Sequence, residues 1–199
     1  MRVIVGRLRG RKLRGPSGAA TRPILDRVKQ ALFDRLGARF GLPGEIPPID
    51  VLDLFAGAGG LGIEALSRGA RSATLVECDR AALACLRANV ADLELESAAR
   101  IVAARAETAA VRPPGADPFG LVFLDPPYPM SAALTDDSPL GRVLHRLAVE
   151  LPVSRNAPLV WRFDRALVPD QLLPGGWTIA ERHDYGSMSL AFLARGAAA

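Results

Sequence analysis

The stretch Ile49-Asp-Val-Leu-Asp-Leu-Phe-Ala-Gly-Ala-Gly-Gly-Leu-Gly62 constrains the fold more than any other part of the chain. Gly57, Gly59 and Gly62 fit a G-x-G-x-x-G spacing after an apolar run. Glycine there lets the backbone turn sharply and approach a ligand without a Cβ in the way. The pattern predicts a buried strand over Ile49–Phe55 and a helix over Leu61–Arg68. Strands are expected at Ser72–Glu77, Ile101–Ala103, Leu121–Leu124, Leu159–Phe163, Trp177–Arg182 and Met188–Leu193. Helices are expected at Arg80–Leu93 and Leu140–Leu151. Strands alternating with helices imply an α/β, doubly wound, seven-stranded, mostly parallel, Rossmann-like sheet. The last two strands meet around Tyr185-Gly186 with no room for a crossover helix, so they are expected to run antiparallel.

The first forty residues read differently. Residues 3–14 suggest a β-hairpin turning at Gly6 to Gly10, Ala19–Pro23 a linker, and Ile24–Phe40 an amphipathic helix. Gly41–Pro48 breaks the pattern, which divides the chain into an extension over 1–40 and a body over 49–195. Residues 1–40 carry eleven Lys or Arg against Asp26 and Asp34, a balance of +9. With 25 basic and 21 acidic residues in all, the remainder holds fourteen against nineteen, a balance of −5. A basic arm on a mildly acidic body suits a protein that docks on phosphates. Arg7, Arg9, Arg11, Lys12, Arg14 and Arg22 are the candidate contacts, arginine being able to grip phosphate with two donors.

Composition excludes several classes. No stretch free of Asp, Glu, Lys and Arg exceeds ten residues, whereas a spanning helix needs about twenty apolar ones. Met1-Arg-Val-Ile-Val-Gly-Arg has no signal-peptide core. Cys78 and Cys85 are expected as buried, small apolar positions on one helix, which fits a reducing cytoplasm. His145 and His183 lack ligands at useful spacing, so no metal is expected.

Glu77 ends the second strand, where a carboxylate can accept both hydroxyls of a ribose. With the glycine loop it suggests an adenosine-containing cofactor. A nicotinamide coenzyme would use the same loop, but Asp53 at the strand tip would repel its pyrophosphate. The same carboxylate would tolerate or favour the cationic end of S-adenosylmethionine (SAM), which tilts the choice without settling it. The fourth strand then runs into Asp125-Pro126-Pro127-Tyr128. In a doubly wound sheet this tip is expected beside the glycine loop, since ligands bind beyond the carboxyl ends of the strands. The two prolines are expected to keep the chain extended and out of the next helix. Asp125 and the Pro126 carbonyl then stand as paired acceptors for an exocyclic amine, and Tyr128 as a flat face for a planar base.

Asp125-Pro-Pro-Tyr together with Asp53-Leu-Phe-Ala-Gly-Ala-Gly resembles the class I SAM-dependent amino-methyltransferases. Arg2-Val-Ile-Val-Gly to Arg9-Gly-Arg-Lys-Leu, Thr21-Arg-Pro to Asp26-Arg-Val-Lys-Gln-Ala-Leu-Phe, and Tyr185-Gly186 resemble signatures of the bacterial 16S rRNA guanine-N2 methyltransferases of the small ribosomal subunit. The likeness runs from Arg2 to about Leu193. It implies methyl transfer from SAM to the exocyclic N2 of a guanine, guanine 966 of 16S rRNA, in an assembling small subunit. It further implies a cytoplasmic monomer that needs no metal. Carried over by position, Asp53, Phe55, Gly57, Gly59 and Glu77 contact SAM, and Asp125, Pro126, Pro127 and Tyr128 form the catalytic tetrapeptide. After the third strand, Ala104-Arg-Ala-Glu107 replaces the usual Asp or Asn, so either the Ala106 backbone and Glu107 meet the adenine instead or that contact is missing. The C-terminal signature reads Tyr-Gly-Ser-Met, where an acidic or amide residue and then Thr are more usual. An adenine-N6 methyltransferase, a nicotinamide oxidoreductase and a non-catalytic assembly factor are the alternatives.

Overall fold

The computed structural model describes residues 1–16, 24–115, 117–169 and 172–196. The sheet is built from β1 (Asp50–Leu54), β2 (Ser72–Glu77), β3 (Ala99–Ala103), β4 (Leu121–Leu124), β5 (Leu159–Asp164), β6 (Leu172–Leu173), β7 (Trp177–Tyr185) and β8 (Met188–Arg195). Its order is β3-β2-β1-β4-β5-β8-β7-β6. The first five strands are parallel, β8 returns antiparallel to β5, and β7 and β8 form a hairpin across Gly186-Ser187. Among the described residues the sheet therefore has eight strands rather than the expected seven. The extra one is β6, two residues at the edge against β7, too short to leave a periodic signal in the sequence.

The helices are α1 (Asp26–Phe40), α2 (Gly62–Ser67), α3 (Arg80–Asp92), α4 (Tyr128–Ala132) and α5 (Pro139–Val149). Local chemistry sets their ends. Asp79 accepts from the Ala82 N–H at 2.8 Å ahead of α3, and Ser138 from the Gly141 N–H at 3.1 Å ahead of α5. Both satisfy amides that have no intrahelical partner. Gly41 closes α1 in the left-handed conformation, φ 70°. One expectation fails at α4. The prolines do not keep the chain out of a helix, because Pro127 itself serves as the extended N-cap (φ −52°, ψ 138°) and Tyr128 begins the helical turn. A proline ring is tolerated at a helix start, where its missing N–H costs nothing.

Side chains alternate across the pleat, and both faces of the central strands are covered. Leu52, Leu54, Val76, Val122, Leu124, Leu159 and Trp161 pack toward Leu140, Val143, Leu144 and Leu147 of α5. Val51, Ala73, Leu75, Leu121, Phe123 and Val160 face the other way, into a cluster holding Val28, Leu32, Phe33 and Leu36 of α1 and Leu86 and Val90 of α3. Phe33 and Phe123 touch, ring centres 5.7 Å apart.

The N-terminal arm shares that second cluster through Val3, Leu8 and Leu13. The composition break at 41–48 therefore separates sequence regions, while the core runs continuously beneath both. The expected hairpin is reduced to a single bridge, Arg2 with Lys12. The Ile4 and Val5 amides go instead to the Glu64 carboxylate of α2, at 2.9 and 3.0 Å, which ends the ladder. Lys29 and Arg68 complete a buried charge cluster around Glu64, at 3.0 and 2.9 Å. The expected linker over Ala19–Pro23, and Arg22 within it, lie outside the described residues.

The cysteine expectation is corrected. Cys78 is exposed and precedes α3, while Cys85 is half-buried on it. Helix α3 starts two residues after Cys78, at the Asp79 cap, so the two thiols never share a helix. Among the described residues no helix is long and apolar enough to cross a membrane.

Candidate active site

The pleat brings the acidic residues together. Asp53 follows Leu52 on β1, Glu77 follows Val76 on β2, and Asp125 follows Leu124 at the tip of β4. Alternation places all three on the face opposite α5. Strands β2, β1 and β4 are neighbours, and the Asp125 N–H donates to the Leu54 carbonyl at 3.2 Å, so the three carboxylates converge at one end of the sheet.

Asp53 is 1% exposed, and its Oδ2 accepts from the Gly62 N–H at 2.8 Å. Burial, followed by the charges of Asp125 and Glu77, pushes its pKa up to about 8 despite that hydrogen bond. A Cβ on Gly62 would fall 2.3 Å from Leu75 Cδ2 and 3.1 Å from Asp53 Oδ2, so glycine there is required for the helix to approach the strand. Gly57 differs: its φ is +56° and a Cβ would meet nothing within 4 Å. That glycine opens onto space beside Glu77. Phe55, directly after β1, is held at φ 63°, a conformation that costs a non-glycine residue about 1–3 kcal/mol and recurs at ligand-binding sites.

Glu77 clasps the loop. Its Oε2 accepts from Gly57 N–H at 2.8 Å, and its Oε1 from Cys78 and Asp79 N–H at 2.7 and 2.8 Å. Ala106 lies in a turn after β3 among the apolar side chains on the α5 face, and its carbonyl accepts from Arg146 at 3.0 Å. Glu107 is 8% exposed and paired with Arg105 at 2.6 Å. Burial pushes the Glu107 pKa up, but a backbone hydrogen bond and Arg105 outweigh it and hold the carboxyl below its usual range.

Asp125 carries a partner that sequence reasoning missed. Arg162 of β5 donates from Nε to Asp125 Oδ1 at 2.5 Å, with side chains 8% and 18% exposed. Burial raises the Asp125 pKa, Arg162 opposes it, Glu77 adds to it, and the result lies above the usual range. The Arg162 guanidinium also stands 5.8 Å from the centre of the Tyr128 ring, which is half-buried against the α1 face of the sheet. A signal was available: a single charge inside Leu159-Val-Trp-Arg-Phe, a run read as a buried strand, demands a paired charge.

On the arm, Arg7, Arg9, Arg11, Lys12 and Arg14 are all exposed. Arg11 donates to the Asp92 carbonyl at 2.6 Å, and Arg14 pairs with the Asp92 carboxylate at 2.7 Å. These two are tied to the end of α3.

A family model described as "Conserved hypothetical protein 95" matches residues 1–194. The chain belongs to this family. This chain has the kinship with small-subunit ribosomal RNA methyltransferases that its motifs suggested. It is 41% identical over 128 residues to the Escherichia coli K12 protein named "Ribosomal RNA small subunit methyltransferase D", covering 64% of this chain and 60% of that one. The chain thus spans less than two thirds of that relative's length. Among solved structures, the yhhF protein of Escherichia coli superposes with a TM-score of 0.74 at 30% identity, over 100% of this chain and 99% of that one. A ribosomal protein L11 methylase from Lactobacillus delbrueckii, at 14% identity and TM-score 0.61 over 90% and 92% of the two chains, shares the fold alone. The family member has the Rossmann-like fold of class I methyltransferases.

Proposed function

We propose that this protein methylates ribosomal RNA with SAM, at the exocyclic N2 of a guanine of 16S rRNA, guanine 966 on the family resemblance. The observation that carries the reading is the meeting of β1 and β4, which sets Asp125 at a strand tip beside the one that leads into the glycine loop, on the same face as Asp53 and Glu77. The residues present fit SAM. Gly57 opens onto space, and three carboxylates facing one volume suit a cation. When bound, SAM supplies a methyl group activated by its sulfonium centre.

The chain's own residues do the rest. Glu77 would hold the ribose hydroxyls, which then compete with the Gly57 N–H for Oε2. Phe55, Gly59 and the Ala106 backbone would line the nucleoside. Asp125 and the Pro126 carbonyl accept the two amine hydrogens, favouring a pyramidal nitrogen with its lone pair exposed. Pro127 fixes the turn, and Tyr128 offers the base a flat face to stack on. As the nitrogen gains positive charge, the Asp125 carboxylate stabilises it. Holding the amine in one orientation contributes further. The exposed arm would grip phosphates of an assembling small subunit, with the target guanine unpaired or splayed, and the protein would act as a cytoplasmic monomer.

Labelled SAM supplied in parallel to small ribosomal subunits, naked 16S rRNA and DNA tests this. Label recovered as N2-methylguanosine from ribosomal RNA is expected. N6-methyladenosine, or transfer to DNA alone, would overturn the reading.

A further inference from the structure

We propose that Arg162 is a positioning residue that holds Asp125 in a single rotamer and as a carboxylate, so that the site accepts rather than donates a hydrogen bond at the amine. This rests on the reading of Asp125 as the amine acceptor. Arg162 comes from β5, one strand beyond β4, and the pleat places it with Val160 rather than Trp161, on the face shared by Asp125. Its Nε donates to Oδ1, an ion pair that restrains rotation of the carboxylate about its side-chain bonds. The same guanidinium lies over Tyr128, so one side chain sets both the acceptor and the aromatic face.

The charged and titratable groups around Asp125 make the pairing necessary. Asp53 approaches from β1, Glu77 from β2, Tyr128 from α4 and Arg162 from β5. Burial and the Glu77 charge favour protonation of Asp125, and Arg162 is the opposing charge in contact with it. A protonated Asp125 would present an O–H to an N–H, a mismatch of donors.

Arg162→Gln and Arg162→Lys are to be compared with the parent in two measurements. Carboxyl-carbon NMR on the cofactor-free protein, with Asp125→Asn to assign the signal, reads the titration directly. The Asp125 midpoint is expected to rise by about 1 to 3 pH units in Arg162→Gln, as loss of an adjacent opposite charge implies, and to return toward the parent in Arg162→Lys. The pH profile of methyl transfer should move its acidic limb upward by the same amount, with SAM affinity unchanged. A midpoint unmoved from the parent in folded Arg162→Gln, or one as high in folded Arg162→Lys as in Arg162→Gln, overturns the proposal. The NMR arm needs no RNA, so it distinguishes failure of this pairing from failure of the rRNA assignment.

Discussion

Asn89 of α3 joins the glycine loop to the N-terminal arm: its Nδ2 donates to the Ala58 carbonyl at 2.9 Å and to the Arg14 carbonyl at 2.9 Å, while its Oδ1 accepts from the Arg14 N–H at 2.8 Å. The side chain is 1% exposed, so water cannot replace these bonds when they are lost. Asn89→Ala is expected to cost about 1–3 kcal/mol, the penalty of leaving buried polar groups unsatisfied. Amide exchange should accelerate in the glycine loop and at Arg14 together. Acceleration in one segment alone would mean that Asn89 does not couple them.

Asp53 gives a pH prediction with a definite sign. An acid whose pKa rises from 3.8 to about 8 on folding binds a proton in the native state that the unfolded state has lost. Stability therefore falls as pH rises from about 4 to about 8 and is flat above that. A bound cation favours the carboxylate, so SAM affinity should climb from pH 6 to pH 8, approaching tenfold per unit. The uncharged thioether S-adenosylhomocysteine should show no such climb. Calorimetry on the parent and Asp53→Asn checks both, the variant losing the slope.

The Glu64 cluster governs stability. Glu64, Lys29 and Arg68 have fully buried side chains, and Glu64 also holds the Ile4 and Val5 amides. Glu64→Ala leaves two buried cations without their carboxylate and should cost about 3–5 kcal/mol, read by urea denaturation. Limited proteolysis should then cut within residues 1–16 first. Protection of the arm in a destabilised variant would show that other contacts hold it down.

Asp125→Ala should abolish methyl transfer while SAM binding stays close to the parent value, because the loop, Asp53 and Glu77 are left in place. Glu77→Ala should do the reverse in emphasis, weakening SAM binding first by releasing the Gly57, Cys78 and Asp79 amides. Equal loss of binding and turnover in Asp125→Ala would contradict this division of roles.

The arm is tested by salt. Replacing Arg9, Arg11 and Lys12 by Ala should weaken RNA binding and make its dependence on salt concentration shallower, by about 2 to 3 in the log–log slope. Arg14→Ala should change the slope less, because its guanidinium is already paired with Asp92. An unchanged slope in the triple variant would move the RNA contact elsewhere.

Local pattern was enough to read the alternation of strands and helices, the glycine turn, the acid at the tip of β2 and the Asp-Pro-Pro-Tyr segment, because each follows from residues close together in the chain. Helix starts were legible to within a residue or two where a cap stood ready, as at Asp79 and Ser138. The short β6 was not, since two residues carry no period, nor was α4, since a proline reads as extended until its position in the turn is known. Polar groups separated by long stretches of chain were brought together by strand order and helix docking alone. Arg162 meets Asp125 across 37 positions, Asn89 meets Arg14 across 75, and Glu64 meets Val5 across 59. The reason is physical: sequence spacing fixes which face a side chain takes, but strand order and helix docking decide what stands opposite it. Which carboxylate is buried, and which cation keeps it ionised, follows from that second step.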